Sequence, residues 1–379
     1  NMVRSHGNTS TARHSHVSSA PPQWLVNSTE VTYRSSMLGL WGIAVRFAQM
    51  PLERLSMIAN SSMVDAKPER LGYQVSSLEQ QQSSQLLRAA RLVVKDGWLA
   101  PWRVVTARSC IAWFLQYSMI GAAFQVSDRM LSTALGVNPF AYGDELFDDG
   151  DGSFEGVDDE MVVVAVSAAT IKPTDPMHLA KVISKAFLAP TLAASVESLV
   201  SNNAEVERFY GKERFKGIVT ATRAQRGMLG SLAGPAFEAN VMRNSVMSFA
   251  SFIGTPLLFT KFIPDEHKNA QNLAWFGLGG NLVANILGTT CQSIWGRSLD
   301  FLAQEGHLSY KEMIRQGLQS GGVSAFISPT KWLTRVGMNF IPSGMIPWYY
   351  NTIVPLGEGP VKNFLFSTWS GDGGDSRSK

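Results

Sequence analysis

Asp96-Gly97…Trp102-Arg103-Val104, Arg226-Gly227…Leu232-Ala233-Gly234 and Ser320-Gly321…Phe326-Ile327-Ser328 are three copies of one short pattern. In each, a glycine is followed seven positions later by a small or β-branched residue. A long apolar stretch follows each copy. Another precedes it and ends in Pro51, Pro190 or, more weakly, Cys291. An internal repeat constrains architecture before any local feature does. A unit of helix, polar connection and helix, used three times, predicts six helices and an all-α protein.

Outward from the repeats, the apolar segments fall at about 36–51, 104–133, 177–200, 235–262, 272–300 and 329–354. Helices of roughly 20 residues cross the ~30 Å of a bilayer core. Charged residues make up 17% of the chain, against about 25% in soluble proteins. Together with 10 Trp, 20 Phe and 33 Gly, that scarcity predicts a membrane protein. A mean hydropathy of +0.00 means the spans are not uniformly apolar. Gly39 and Gly42 share one face of the first segment, and Gly277 and Gly279 open the fifth. These four are the candidate helix-packing glycines.

Composition also excludes. A net charge of +3 without a Lys/Arg stripe argues against nucleic acid. Cys110 and Cys291 lie in apolar stretches and form no disulfide framework. The histidines lack metal-ligand spacing, and no glycine loop cradles phosphate. The chain reads as a non-enzyme with no cofactor and no metal.

The best copy of the pattern, Gly321-Gly322-Val323-Ser324-Ala325-Phe326-Ile327-Ser328 with Trp332-Leu333-Thr334-Arg335 behind it, resembles the mitochondrial carrier family, of which this chain looks like a divergent member. The resemblance implies six transmembrane helices in three pseudo-repeats with short amphipathic matrix helices, the first near 84–95. It divides the chain into a polar tail or transit remnant (1–30), repeat 1 (31–135), an acidic insertion (136–176), repeat 2 (177–264), repeat 3 (265–356) and a polar C-terminal tail (357–379). Residues 1–29 hold no Asp or Glu, as in a transit segment; a disordered tail fits the same composition. The insertion carries nine carboxylates at 144–160 and a strand-like run at 161–171. Its Asp149-Gly150-Asp151-Gly152 stretch resembles the start of a calcium loop, but Phe147 occupies the first ligand position. A solvated loop or a docking surface for a basic partner is the expectation.

The family closes its matrix side with a ring of ion pairs from P-x-[DE]-x-x-[KR] motifs. Charge within a membrane persists only where it is paired or used. Pro51 and Glu53 are one gate remnant, with Ser56 in place of the base. Pro190 is a second, followed by Leu192 and Ser195. Cys291, Ser293 and Gly296 stand in repeat 3. Glu53 is thus the only charge expected at the six ring positions. At the opposite end Phe124-Gln125 and Tyr350-Asn351 keep the aromatic and lose the acid. Arg335 and Arg243 are candidate contacts for a substrate or lipid; Arg108 is a weaker one. The residues lead to an expectation of a transport-incompetent carrier relative in the mitochondrial inner membrane. It would be a structural or accessory subunit of a respiratory-chain or ATP synthase assembly, with the bilayer, cardiolipin included, and other subunits as partners. The alternatives are an active solute carrier with an unusual gate and an outer-membrane relative acting in protein insertion or organelle dynamics.

Overall fold

The computed structural model describes residues 23–53, 105–140 and 176–367, with 94, 99, 102 and 142. The acidic insertion, the strand-like run at 161–171, Ser56, Gly97, Val104 and all of 84–95 except Val94 lie outside the described residues. Among the described residues the chain is all-α. Its elements are α1 (Gln23–Ala48), α2 (Ala107–Leu135), α3 (Pro176–Tyr210), α4 (Lys212–Ala233), α5 (Phe237–Phe249), α6 (Thr255–Phe262), α7 (Ala270–Glu305), α8 (Tyr310–Gly321), α9 (Pro329–Gly344), α10 (Ile346–Trp348) and α11 (Val354–Phe366). A π-helical turn, Ala250–Gly254, joins α5 to α6, and another, Tyr349–Ile353, joins α10 to α11. These make six long rods: α1, α2, α3, α5–α6, α7 and α9–α11.

Several boundaries move from expectation. The first rod starts inside the expected tail 1–30, and the last runs past 356 to Phe366. The stretch between the expected apolar segments at 177–200 and 235–262 is helical too: α3 continues to Tyr210 and α4 begins at Lys212.

The repeated pattern marks the turns into the even-numbered rods. Gly227 (φ +72°) and Gly234 (φ +87°) take backbone conformations open to glycine and strained for other residues. Ser328 caps α9 by accepting from the Lys331 amide at 3.3 Å, and Thr106 caps α2 with Ser109 in a reciprocal capping box. Pro51 has no N–H to give the Phe47 carbonyl. That carbonyl accepts instead from Trp102 Nε1 at 2.8 Å.

Each rod packs on the next, and the sixth returns to the first, closing a ring. The first seam is tight because Gly39 lies against Phe114 and Ser118, and Gly42 against the Tyr117 ring. Gly277 meets the Gly344 carbonyl across the fifth and sixth rods. Gly279 faces open space and packs against nothing, which corrects its assignment as a packing glycine. The ring closes where Tyr349 Oη donates to the Met37 carbonyl (2.9 Å) and Trp41 Nε1 to the Pro342 carbonyl (3.3 Å).

An apolar core sits at one end, where Val206, Trp295, Leu299, Leu302 and Met313 join α3, α7 and α8, with Phe326 from the turn that follows α8. A second apolar cluster, with Phe124, Val182, Ala189 and Ile253, joins α2, α3 and the π turn of the fourth rod, and many polar groups are buried between the two. Asp128, Lys185, Asn202, Asn240 and Asn285 are fully buried, while Phe187, Val283, Leu287 and Leu356 are more than half exposed on the outside. Charged residues are almost never fully buried in soluble proteins without a partner; here Lys185 pairs with Asp128 at 3.6 Å. One helix among the described residues, Pro176–Arg208, is long and apolar enough by composition to cross a membrane. Polar residues facing inward lower the mean hydropathy of the other rods.

Candidate functional site: a charged cavity inside the helix ring

The ring holds a cavity of about 110 Å³ lined from all six rods, with Arg46, Glu53, Gln116, Glu197, Glu205, Arg208, Arg243, Gln292 and Arg335 among its polar residues. Its floor lies at the C-terminal ends of the odd rods. There Glu53 of the first rod meets Arg208 of α3 at 2.6 Å and Arg46 at 3.4 Å. Glu205, one turn before Arg208, holds Arg243 at 2.6 Å, and Arg243 lies over the Trp295 ring at 4.8 Å. Asp300 of α7 accepts from Tyr210 Oη at 2.7 Å and pairs with Arg214 at 3.7 Å.

These contacts correct the gate reading. Pro190 sits buried inside an unbroken helix, and Leu192, expected in the acid's place, faces outward. Glu205 and Arg208 of α3 supply an acid and a base to the floor instead, with Asn203 and no proline two residues before the acid. In α7 the acid beside the floor is Asp300, which shares the Tyr210 hydroxyl with the Gly296 carbonyl (3.3 Å), with Ala303 three residues on. Glu53 is therefore not alone. A Glu three residues before an Arg is commonplace on helix surfaces, so without its proline the motif carried no signal.

Above the floor a hydrogen-bonded chain crosses the cavity. Gln116 Nε2 donates to Glu197 at 2.6 Å and to Glu205 at 3.1 Å. Asn244 Nδ2 donates to Glu197, and its Oδ1 accepts from Arg243 Nε at 2.9 Å. Gln292 Oε1 accepts from both Arg243 (3.2 Å) and Arg335 (3.0 Å). Arg243 and Arg335, picked from the sequence, thus converge on a single neutral oxygen. Arg108 is exposed at the start of α2, and Glu238 pairs with Arg226, not Arg243.

Aromatic side chains roof the cavity. Phe252, on the π turn of the fourth rod, stacks on Phe124 with centroids 4.7 Å apart. Its ring meets Tyr350, on the π turn of the sixth, edge-on at 6.2 Å. Ser251, Phe252 and Ile346 line both this cavity and a smaller one of about 40 Å³ beyond the roof. Arg34 and Glu30 line that second cavity; Arg34 pairs with Glu358 (2.9 Å) and Glu30 (3.4 Å), Lys362 with Glu358 (2.5 Å) and Arg129 with Glu30 (3.5 Å). Phe124 and Tyr350 were legible in the sequence. Phe252 and the outer ion cluster, drawn from the first, second and sixth rods, were not.

Among the described residues no group of His, Cys, Asp and Glu could hold a metal ion. Comparison of the chain with protein-family models, curated proteins and solved structures returns no match.

Proposed function

We propose that this chain is a membrane-embedded six-helix barrel of the mitochondrial carrier type that binds and passes a small charged solute through its central cavity. The observation that carries the reading is where polar and apolar groups fall: Glu, Arg, Lys and Asn are buried inside beside the apolar clusters, and many large apolar side chains face outward. Water favours the opposite arrangement, and a hydrocarbon solvent favours this one. Three further features support transport: a floor closed by ion pairs, a roof closed by aromatics, and a guanidinium, Arg335, buried in the space between with no ion pair among the described residues. Ion pairs and ring contacts can each open without covalent change, as alternating access requires. The inner mitochondrial membrane is the location that this reading implies.

The test is reconstitution in liposomes with a screen for uptake of carboxylates, phosphate, nucleotides and amino acids. Saturable exchange that Arg335→Gln abolishes is the expected result. A second reading, a locked accessory subunit of a larger membrane assembly, is favoured by Ala303, which leaves the third floor position without a base. Migration within a large complex on native gels, with no solute exchanged, would establish that reading and overturn the first.

A further inference from the structure

Four guanidiniums (Arg46, Arg208, Arg243, Arg335) and three carboxylates (Glu53, Glu197, Glu205) line the central cavity. Glu53 answers Arg46 and Arg208, and Glu205 answers Arg243. Two ionisable groups of opposite type, Glu197 and Arg335, make none of these ion pairs. Glu197 is 2% exposed and makes no ion pair among the described residues. Among the described residues its oxygens accept from the neutral donors Gln116, Ser201 (3.0 Å) and Asn244. Arg335 is 5% exposed, rests on the neutral Gln292 oxygen and has an Nε with no partner.

Each of these groups is costly to bury alone. A simple anion would neutralise Arg335 and be repelled by Glu197; a simple cation would do the reverse. A ligand carrying both charges satisfies both groups together. The side chains between them, Gln292, Arg243 and Asn244, are bonded to one another and hold the two ends in fixed positions.

The remaining surface sets the size. At about 110 Å³ the cavity is well below the roughly 300–1,000 Å³ of sites for drug-sized ligands. Met247 and Met338 supply adaptable apolar lining. Gly288 leaves a recess beside the free guanidinium nitrogen: a Cβ there would lie 3.0 Å from Met247 Sδ and 4.0 Å from Arg335 Nε. Resting on the carrier reading above, we propose that the solute is a small zwitterion of the α-amino acid class, with its carboxylate on Arg335, its ammonium on Glu197 and a short aliphatic side chain against the methionines.

A matched trio of probes tests this: L-alanine, propionate, which lacks the ammonium, and ethylamine, which lacks the carboxylate. Uptake into proteoliposomes preloaded with L-alanine is measured for each, alongside the thermal shift each gives the purified protein in detergent. The expected result is a preference for L-alanine of at least about tenfold over either half-molecule, the loss expected when a buried charge pair is left incomplete. Glu197→Gln should collapse that preference, and Arg335→Gln should abolish uptake of L-alanine. If Glu197→Gln does not fold, competition among the three probes on the unaltered protein decides. Equal or better uptake of propionate would overturn the zwitterion and leave the carrier standing. No uptake and no shift with any probe, in protein that unfolds cooperatively, would overturn both.

Discussion

At the floor of the cavity, Glu53 and Arg208 join the first rod to the third and Glu205 and Arg243 join the third to the fourth, all by charge. At the roof, Phe124, Phe252 and Tyr350 meet through ring faces and edges, and the backbones of the fifth and sixth rods touch at Gly277 and Gly344. The difference teaches how one barrel can be closed in two ways. Charge closure is directional and strong where water is excluded, but it fails when one partner is lost. Aromatic closure is a matter of fit, and it weakens gradually.

The backbone differs in the same way. Phe252 and Tyr350 ride on π turns that end just before the Thr255-Pro256 and Val354-Pro355 steps. A proline cannot donate to the preceding turn, and turns widened to the π form recur at functional sites. Phe124 sits on an unbroken α2 that contains no proline. Beside Pro347, whose missing N–H frees the Ser343 carbonyl, Ser251 Oγ fills the gap at 3.3 Å.

Breaking the floor should have the largest effect. Glu205→Ala strands Arg243 in the interior, and an orphaned buried charge costs about 3–5 kcal/mol; thermal unfolding in detergent measures it. At the roof, Gly277→Ala drives a methyl into the Gly344 carbonyl, and overpacking of this kind costs about 1–3 kcal/mol. The same assay checks it. Phe252→Ala removes one stack and one edge contact, worth roughly 0.5–1.5 kcal/mol each. It should also join the two cavities, so a cysteine placed at Ser343 becomes reactive to a water-soluble thiol reagent added from the roof side. Protection of that thiol in the variant would remove Phe252 from the roof. The smallest effect belongs to Gly279→Ala, which meets nothing. It should leave stability unchanged or raise it by up to about 1 kcal/mol through helix propensity, and a loss as large as that of Gly277→Ala would mean the two glycines do the same job.

Much of the fold was legible because it is local. The apolar segments, the glycines at 227 and 234 and the cap at Ser328 act within a few residues of themselves. The floor was misplaced because proline was taken to set its register. Pro190 is buried in a continuous helix, while Glu205 and Arg208 reach the floor without a proline. Phe252 is one of 20 phenylalanines, and nothing in its neighbours distinguishes it. Arg243 and Arg335 stood out as charges in apolar segments, but their shared contact with Gln292 lies across rods.

The sequence by itself determined that the described residues are all-α, that they hold six long rods, and roughly where the apolar runs of those rods lie. Caps, glycine conformations and apolar runs are short-range properties that the chain carries with it. Only the tertiary structure decided which charges neutralise each other and which two ionisable groups, Glu197 and Arg335, are left over in the same cavity. Ion pairing depends on distance in space, and residues as far apart in the chain as Glu53 and Arg208 become neighbours only when the ring closes.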